Sequence, residues 1–252
     1  MDPKGKVALV TGGGRRLGRA MCVALAQAGA DIVVNYRSDA ESASETASAV
    51  EACGARAFTL AADVAEPADV ARLVNETLAA FGRVDILVNN ASHFERTPFP
   101  TDDVSAWRRC IDILVNGPFY CANEVAPHML RQQCGTIVNI LDLSAWEPWP
   151  DLAAHSVGKA ALLALTRQLA LELAPHVRAN AIAPSAVLPA DRFDAAQVDR
   201  LARRNLLGRW GTPEDVAEAV VFLVRSEFIT GESIIIDGGE HFGHCRTRFA
   251  DA

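Results

Sequence analysis

The segment DLAAHSVGKA, residues 151–160, holds a histidine and a lysine four positions apart. On a helix, this spacing places His155 and Lys159 on one face, about one turn apart. An imidazole ordinarily titrates near neutral pH and suits proton transfer, while a lysine supplies a positive charge. The pair is therefore a candidate for general acid–base chemistry. The alternatives are an exposed helix lysine and a histidine without a catalytic role.

A glycine-rich turn follows the first apolar run of the chain. The run KVALVT covers residues 6–11, and TGGGRRLG covers residues 11–18. Glycines between a strand and a helix let backbone amides approach a pyrophosphate, and the helix N-terminus favours its negative charge. The turn therefore predicts a dinucleotide site that includes Gly12 and Leu17.

The end of the second apolar run predicts which dinucleotide binds. A site for NAD places a carboxylate there to bind the ribose 2′-hydroxyl, but this chain has Tyr36 at that position, followed by Arg37 and Ser38. Arg37 and Ser38 can bind a 2′-phosphate, and Arg15 of the first turn can reach the same place, because guanidinium groups form paired hydrogen bonds with phosphate. We therefore predict NADPH/NADP+ as the cofactor.

Apolar, β-branched runs alternate with helical segments along the whole chain. The expected strands cover residues 6–11, 31–36, 55–63, 84–90, 136–141, 177–183 and 233–239. The expected helices cover residues 16–28, 39–53, 67–81, 101–131, 153–174 and 213–225, and Pro118 should kink the fourth. This alternation is typical of βαβ units, in which helices cover both faces of a parallel sheet.

The series predicts one α/β domain over residues 1–252, a Rossmann-type doubly wound parallel sheet of about seven strands with helices on both faces. Residues 185–211 form the one long irregular connection, and we expect a substrate lid there because such connections usually carry function. The ligand should bind outside the carboxyl ends of the strands, at the switch point of the sheet.

Composition excludes several classes of partner. The chain has 24 Lys and Arg residues against 31 Asp and Glu residues, a formal net charge of −7, so binding to nucleic acid or to an anionic membrane is not expected. The six cysteines form no CxxC pair, and neither a signal peptide nor a membrane span is evident. We expect a cytoplasmic protein with reduced thiols and, for lack of metal-ligand spacing, no catalytic metal.

Several motifs together resemble the short-chain dehydrogenase/reductase family, and the resemblance covers almost the whole chain. The motifs are the glycine turn, Asp63-Val64, NNAS at residues 89–92, Asn116, HSVGK at 155–159, RANAIAP at 178–184, GRWGTPEDVA at 208–217 and IIIDGG at 234–239. The resemblance implies that Asp63, Val64, Asn90, Ala91 and Lys159 bind the cofactor. It also implies that Asn116 belongs to the catalytic set.

Within that family the details look most like pteridine reductases. Arg16 stands at the usual third glycine of the first turn, and Phe94 stands where those enzymes stack the pterin ring. Asp142 occupies the position of the family's catalytic serine, and His155 occupies that of the catalytic tyrosine. His93 is a weaker candidate for the pocket, and a surface histidine is the favoured alternative.

The carboxylate of Asp142 bears on the choice of substrate. A carboxylate repels a developing alkoxide, but it suits a substrate that becomes protonated on nitrogen, such as a cyclic C=N bond. Asp142 would favour the protonated form of His155, whereas Lys159 would disfavour it. Trp146 and Trp149 are expected to wall the substrate pocket, the alternative for each being a structural role.

The sequence thus predicts an NADPH-dependent oxidoreductase that reduces a small planar substrate with a C=N bond, pterin-like or a cyclic imine. Arg16 and Phe94 would hold the substrate, while Asp142 and His155 would manage the proton. Two alternatives stay open. One is a ketone reductase in which His155 protonates the alkoxide, and the other is a catalytically impaired NADPH-binding protein.

The resemblance also implies an assembly. It predicts a homotetramer built by pairing the long helices and the C-terminal strands of four subunits. The tail, residues 241–252, extends past the last strand, and its Arg246 or Arg248 could approach a neighbouring active site, as the C-terminus does in pteridine reductases.

Overall fold

Seven parallel strands form one sheet in the computed structural model, which describes residues 1–189 and 193–245 except the side chains of 243–245. The strands are β1 Val7–Val10, β2 Asp31–Tyr36, β3 Ala57–Ala61, β4 Ile86–Asn89, β5 Gly135–Ile140, β6 Val177–Pro184 and β7 Ser233–Ile236. Their order across the sheet is β3-β2-β1-β4-β5-β6-β7. The predicted doubly wound sheet is confirmed.

Helices cover both faces of this sheet, as the alternating pattern predicts. The described helices are α1 Arg16–Gln27, α2 Ala40–Ala52, α3 Pro67–Phe81, α4 Ser105–Ile111, α5 Gly117–Arg131, α6 Ala153–Leu173, α7 Ala195–Ala202 and α8 Pro213–Arg225. Apolar side chains of α1, α2 and α8 share one buried cluster with the sheet, and those of α3, α5 and α6 share another. The central strands are buried on both sides, which explains their continuous apolar sequences.

The switch point of the sheet lies at β1. Val10, the last residue of β1, is in register with Val34 of β2 on one side and with Val88 of β4 on the other. The chain crosses to opposite sides of β1 on its way to β2 and β4, so a crevice opens where these three strands end. The glycine turn and the segments after β2 and β4 all lie at this edge.

The expected helix over residues 101–131 is wrong as a single element. Helix α4 begins only at Ser105, a π-helical turn covers Asp112–Asn116, and α5 begins at Gly117. Pro118 has no N–H to donate to the carbonyl four residues earlier, so a regular α-helix cannot run through this point. The break predicted at Pro118 is therefore present, as a π turn that ends just before the proline.

The connection over residues 185–211 is not wholly irregular, because it contains α7. Asp194 accepts a hydrogen bond from the Gln197 backbone N–H (2.7 Å), and the Gln197 side chain accepts one from the Asp194 N–H (2.9 Å). This capping box starts the helix. Its sequence signal, an aspartate followed three residues later by a glutamine, is present at Asp194 and Gln197, but no helix was predicted from it. Residues 190–192 lie outside the described residues, and the role of the connection as a lid stays a prediction.

The cysteines, the helix lengths and the C-terminal tail can each be compared with what the sequence predicts. Among the described side chains, Cys22, Cys53, Cys110, Cys121 and Cys134 are free thiols, as predicted. No helix in the described part of the chain has the length and apolar character to cross a membrane. Residues 240–245 form a 3₁₀ helix, whereas the part of the tail from residue 246, with Arg246 and Arg248, lies outside the described residues.

Candidate active site

The glycine turn brings the backbone of β1 close to helix α1 and to the end of β4. Gly12 has φ +60°, and a Cβ there would lie 3.2 Å from the Ala91 Cα. A Cβ on Gly18 would lie 2.2 Å from the Gly12 carbonyl oxygen, so no other residue fits at that position. The turn therefore presents bare backbone at the start of α1, which is the arrangement that receives a pyrophosphate.

A cavity of about 430 Å³ opens beside this turn, at the switch point of the sheet. The predicted cofactor residues that line it are Gly12, Arg15, Leu17, Tyr36, Arg37, Ser38, Asp63, Val64, Asn90 and Ala91. The lining also includes Arg16, the weaker candidate His93, and residues that were not predicted for the site: Asp39, Ser42, Ser92 and Ile113. The geometry fits a dinucleotide, because all of the residues predicted for it except the buried Lys159 line one continuous cavity.

Two arginines and one carboxylate line the end of the cavity beside β2. Arg15, Arg37 and Ser38 are exposed there, free to meet a phosphate. Asp39 is the carboxylate, and it caps helix α2 by accepting hydrogen bonds from the Ser42 N–H (3.1 Å) and hydroxyl (2.8 Å). These bonds hold the pKa of Asp39 below its ordinary value. Asp39 is therefore committed to the helix N-terminus.

Two buried polar residues hold the walls of the cavity together, and sequence reasoning missed both. The Asn35 side chain accepts from the Gly12 N–H (3.2 Å) and donates to the carbonyls of Leu60 (3.3 Å) and Ala62 (3.1 Å). The Thr11 hydroxyl accepts from the backbone N–H groups of Asn90 and Ala91. A polar residue inside the apolar run DIVVNY was the available signal for Asn35.

Asp142 and His155 form a hydrogen-bonded pair at the carboxyl end of β5. His155 lies in the first turn of α6, and its Nε2 is 2.7 Å from Asp142 Oδ2. The Nδ1 of the same ring is 3.1 Å from the backbone carbonyl oxygen of His93. Both ring nitrogens therefore face acceptors. A neutral imidazole has one N–H and satisfies only one of them, whereas the imidazolium satisfies both.

The second oxygen of Asp142 is also bound. Asp142 Oδ1 accepts from the Ser144 backbone N–H (2.9 Å) and from the Ser144 hydroxyl. Burial alone would raise the pKa of Asp142, but the hydrogen bond from His155 and the charge of Lys159 outweigh it and hold that pKa below its ordinary value. Asp142 is therefore an anion at neutral pH.

Lys159 is buried and contacts the backbone. Its ammonium group donates to the Ile140 carbonyl oxygen at the end of β5 (2.8 Å). Burial lowers the pKa of Lys159, and the nearby charge of Asp142 opposes part of that shift. Asp142 is the direct neighbour of His155, because it contacts the imidazole, whereas the hydrogen bond of Lys159 goes to the Ile140 carbonyl.

Aromatic rings enclose the imidazole. Trp149 stacks on His155 at 5.9 Å between centroids and an interplanar angle of 11°, and Phe94 meets the same ring edge-on at 4.9 Å. His155 is only 2% exposed, whereas Phe94 is 53% exposed. Trp146 lies on the surface, 42% exposed, after the short 3₁₀ helix Leu143–Ala145. Phe94 and Trp149 are thus placed beside the pair, as a substrate wall requires.

Asn116 and Arg16 have partners of their own. Asn116 ends the π turn and donates to Asp112 Oδ1 (2.9 Å). Arg16 has a left-handed backbone (φ +52°), the conformation that favours glycine, and its guanidinium reaches the carbonyls of Leu188 and Pro189 at 3.5 Å. Arg16 therefore joins the cofactor turn to the start of the predicted lid. The functional roles expected for these side chains stay predictions. The expectation that the site uses no catalytic metal also stays a prediction.

Comparison with known proteins agrees with this architecture. A family model described as enoyl-(acyl carrier protein) reductase matches residues 13–241. The chain is 37% identical over 246 residues to 3beta-hydroxysteroid dehydrogenase 1 of Eggerthella lenta, which covers 94% of each chain. It is 34% identical over 238 residues to a 3-oxoacyl-[acyl-carrier-protein] reductase of Synechocystis, which covers 93% of this chain and 96% of the relative.

Solved structures extend the comparison to the cofactor. A gluconate 5-dehydrogenase of Burkholderia cenocepacia, in complex with NADP and tartrate, superposes with a TM-score of 0.87 at 34% identity and covers 95% of this chain and 96% of its own. A xylitol dehydrogenase bound to NAD+ superposes with a TM-score of 0.88 at 29% identity and covers 95% and 100%. None of these four proteins is named as a pteridine reductase, and that narrower likeness stays a prediction. The chain belongs to the short-chain dehydrogenase/reductase family, whose members in this comparison are oxidoreductases that use a nicotinamide cofactor.

Proposed function

We propose that this protein is an NADP(H)-dependent oxidoreductase that reduces a ketone on a small organic molecule, with His155 as the proton donor. The observation that carries the proposal is the imidazole held between Asp142 Oδ2 and the His93 carbonyl oxygen. The relatives named for a hydroxysteroid and for a 3-oxoacyl group support carbonyl–alcohol chemistry. The C=N substrate expected from the sequence becomes the second candidate.

The charges around the imidazole favour a carbonyl substrate. Asp142 pairs directly with the His155 imidazole, and the Lys159 ammonium group adds a positive charge close to them. A positive site stabilises an alkoxide that develops on a carbonyl oxygen, and it disfavours a substrate that becomes protonated on nitrogen. The repulsion expected from Asp142 alone is offset because its charge is already paired with His155.

The chain's own residues provide for the proton step. A bound NADPH supplies the hydride. When the carbonyl carbon receives that hydride, the carbonyl oxygen would replace Asp142 Oδ2 as the acceptor of the His155 Nε2 proton, and the product would be the alcohol. His155 is left neutral with its remaining N–H on the His93 carbonyl, and it regains a proton from solvent. Trp149, stacked on the ring, and Phe94, edge-on to it, shield His155 from water while the proton passes to the substrate.

The choice of NADP(H) rests on the phosphate end of the cavity. Arg15, Arg37 and Ser38 line it, and the one carboxylate there, Asp39, is engaged at the N-terminus of α2. A 2′-phosphate would meet two guanidinium groups, whereas a ribose 2′-hydroxyl would find no free carboxylate among these residues. Relatives in this family bind either cofactor, so this preference belongs to this chain's own residues.

The second candidate, reduction of a C=N bond, is favoured by one observation. Asp142 stands at the carboxyl end of β5, where the family resemblance expects a serine hydroxyl that donates to the substrate. If the substrate breaks the Asp142–His155 contact, the freed carboxylate would meet an N–H group of the ring rather than a carbonyl oxygen. Under this alternative Phe94 stacks on a planar substrate.

One assay separates these functions. Purified protein is mixed with NADPH and a panel of activated ketones, cyclic imines and dihydropterins, and the loss of NADPH absorbance is followed. Turnover of ketones alone supports the main proposal, and turnover of imines or dihydropterins alone supports the second. Tight NADPH binding without turnover on any member identifies a catalytically impaired NADPH-binding protein and overturns both.

A further inference from the structure

Three side chains with metal-binding atoms meet beside the site described above. His93 and Glu95 lie on the segment that follows β4, and Cys110 lies near the end of α4. A ring nitrogen of His93, a carboxylate oxygen of Glu95 and the Cys110 Sγ all lie within 4.8 Å of one another. No local pattern indicates this cluster, because Cys110 is fifteen positions away from Glu95, the nearest other member.

We propose that His93, Glu95 and Cys110 form a binding site for Zn²⁺. Co²⁺ can occupy the same site instead of Zn²⁺. Imidazole nitrogen, carboxylate oxygen and thiolate sulfur are the three ligand types that zinc uses, and a water completes four-coordination. A thiolate selects such borderline ions over Mg²⁺ and Ca²⁺, which prefer sites made only of oxygen. The site lies outside the proton-transfer pair and does not require the proposed function.

The carboxylate ligand is already oriented. Arg109 donates from Nη2 to Glu95 Oε1 (2.7 Å) and from Nε to Oε2 (3.1 Å), and Oε2 also lies 2.8 Å from His93 Nε2. These contacts hold the pKa of Glu95 at about 2, so it is ionised at neutral pH. An ion that binds Oε2 leaves Oε1 on Arg109, which then acts as the outer hydrogen bond that metal-binding carboxylates usually have.

The thiol ligand is buried and the other two ligands are open. Cys110 is inaccessible to solvent, whereas the side chains of His93 and Glu95 are 30% and 32% exposed, so an ion enters from their side. Burial and the charge of Glu95 raise the pKa of the Cys110 thiol. A zinc ion therefore displaces one proton: hydrated Zn²⁺ and the thiol give the zinc thiolate and H⁺.

Binding requires small adjustments. Two ligands at the usual 2.0–2.1 Å from a tetrahedral zinc ion are about 3.3 Å apart, wider than the 2.8 Å between His93 Nε2 and Glu95 Oε2. The ion takes the place of the contact between these atoms, the neutral imidazole carries its one N–H on Nδ1, and the partly exposed His93 ring moves outward by about half an ångström. Cys110 stays fixed by its helix. Separations of up to 4.8 Å within the cluster must also close to about 3.6 Å, which small movements of the His93 and Glu95 side chains can provide.

The test is a titration of the whole protein with Co²⁺, whose absorption reports its ligands. The proposal expects saturation at one ion per chain, tetrahedral visible bands, a thiolate charge-transfer band, and displacement of Co²⁺ by Zn²⁺. Cys110→Ser should remove the charge-transfer band, whereas Cys134→Ser, on a half-buried cysteine elsewhere, should keep it. A charge-transfer band that survives Cys110→Ser, or no band in the parent protein, overturns the proposal.

A second variant guards against damage to the buried position. His93→Gln keeps the thiol and should weaken Co²⁺ binding at least about tenfold, whereas His128→Gln, at a half-buried position on α5, should not change it. Between about pH 7.5 and 8.5, affinity should rise about tenfold per pH unit, because one proton leaves the thiol. Equal affinity for both histidine variants, or affinity independent of pH, contradicts the assignment.

Discussion

Both ring nitrogens of His155 have hydrogen-bond partners within the chain itself. One ring nitrogen faces Asp142 and the other faces a backbone carbonyl, while Trp149 and Phe94 hold the ring plane. Such a ring cannot rotate to find a proton acceptor, so the acceptor must come to Nε2. This makes the position of the substrate oxygen, rather than the mobility of the histidine, the condition for proton transfer.

The first prediction concerns that proton. His155→Ala removes the donor and should lower kcat on the best ketone substrate by about 10²-fold or more, the usual range of general acid–base catalysis, with NADPH affinity almost unchanged. Lys159→Ala should weaken both turnover and cofactor binding. Steady-state kinetics and fluorescence titration of NADPH measure the two effects. If His155→Ala turns over like the parent, another group donates the proton.

The second prediction concerns the cofactor. NADPH should bind at least about tenfold more tightly than NADH, a difference of about 1.4 kcal/mol that one charge-assisted phosphate contact can supply. Arg37→Asp should abolish or reverse the preference, because it replaces an attraction to the 2′-phosphate by a repulsion. Arg108→Asp makes the same charge change at an exposed site on α4 and should leave the ratio alone. Equal affinities in the parent protein would refute the preference.

At the scale of elements, the candidate site is a junction between β5 and α6. Asp142 follows β5, while His155 and Lys159 come from the first two turns of α6, and Lys159 returns a hydrogen bond to the last carbonyl of the strand. Gly158 lets the helix approach the π turn, since a Cβ there would lie 2.9 Å from the Leu114 side chain. The Asp142–His155 contact and the Lys159 hydrogen bond therefore also stabilise the packing of the strand against the helix.

The third prediction follows from the lowered pKa of Asp142. Its pKa is below the ~3.9 of an unfolded aspartate, so its contribution to stability is complete above that value and is lost as pH falls through the folded pKa. Asp142→Asn should cost about 1.5–3 kcal/mol at pH 7, the range for a hydrogen bond to a charged group. Urea unfolding should show this difference shrinking toward pH 3. A difference that stays constant with pH would contradict the ion pair.

The fourth prediction concerns the contact between α1 and the glycine turn. Gly18→Ala would place a Cβ 2.2 Å from the Gly12 carbonyl oxygen, a backbone atom that cannot move without displacing the turn. We expect a loss of more than about 4 kcal/mol in stability, or complete loss of NADPH binding. Gly54→Ala is the control: its Cβ meets nothing, so only the left-handed backbone costs energy, about 1–2 kcal/mol. Thermal unfolding compares the two.

On the scale of the whole molecule, the sequence predicts what depends on local pattern and misses what depends on distant contacts. The strand over residues 31–36 and the helix over 213–225 match the structure residue for residue, because an apolar run and a capping proline are visible locally. The bond between His155 and the His93 carbonyl joins residues 62 positions apart. The zinc cluster likewise depends on how α4 packs, which no local pattern encodes.

Exposed apolar side chains on two helices and one open sheet edge remain on the chain. On the helical face, Leu171 of α6 is 74% exposed and Phe119 of α5 is 50% exposed. At the end of the sheet, β7 is an edge strand of serine and three isoleucines, with backbone groups open to pairing on one side. Monomers rarely leave this much apolar surface uncovered, so both surfaces suit contacts with other copies of the chain.

The last prediction is the homotetramer. Two different self-complementary surfaces on one chain give a closed assembly of four rather than two, because each two-fold contact doubles the number of subunits. Light scattering at micromolar concentration should give a mass four times the 27.0 kDa of the chain. Leu171→Glu with Phe119→Glu should leave dimers held by β7, since burying two carboxylates in the helical contact is unfavourable. Phe99→Glu, on an exposed loop aromatic outside both surfaces, should remain tetrameric. A monomeric parent protein would refute the assembly, and an unchanged tetramer in the double variant would exclude the helical contact.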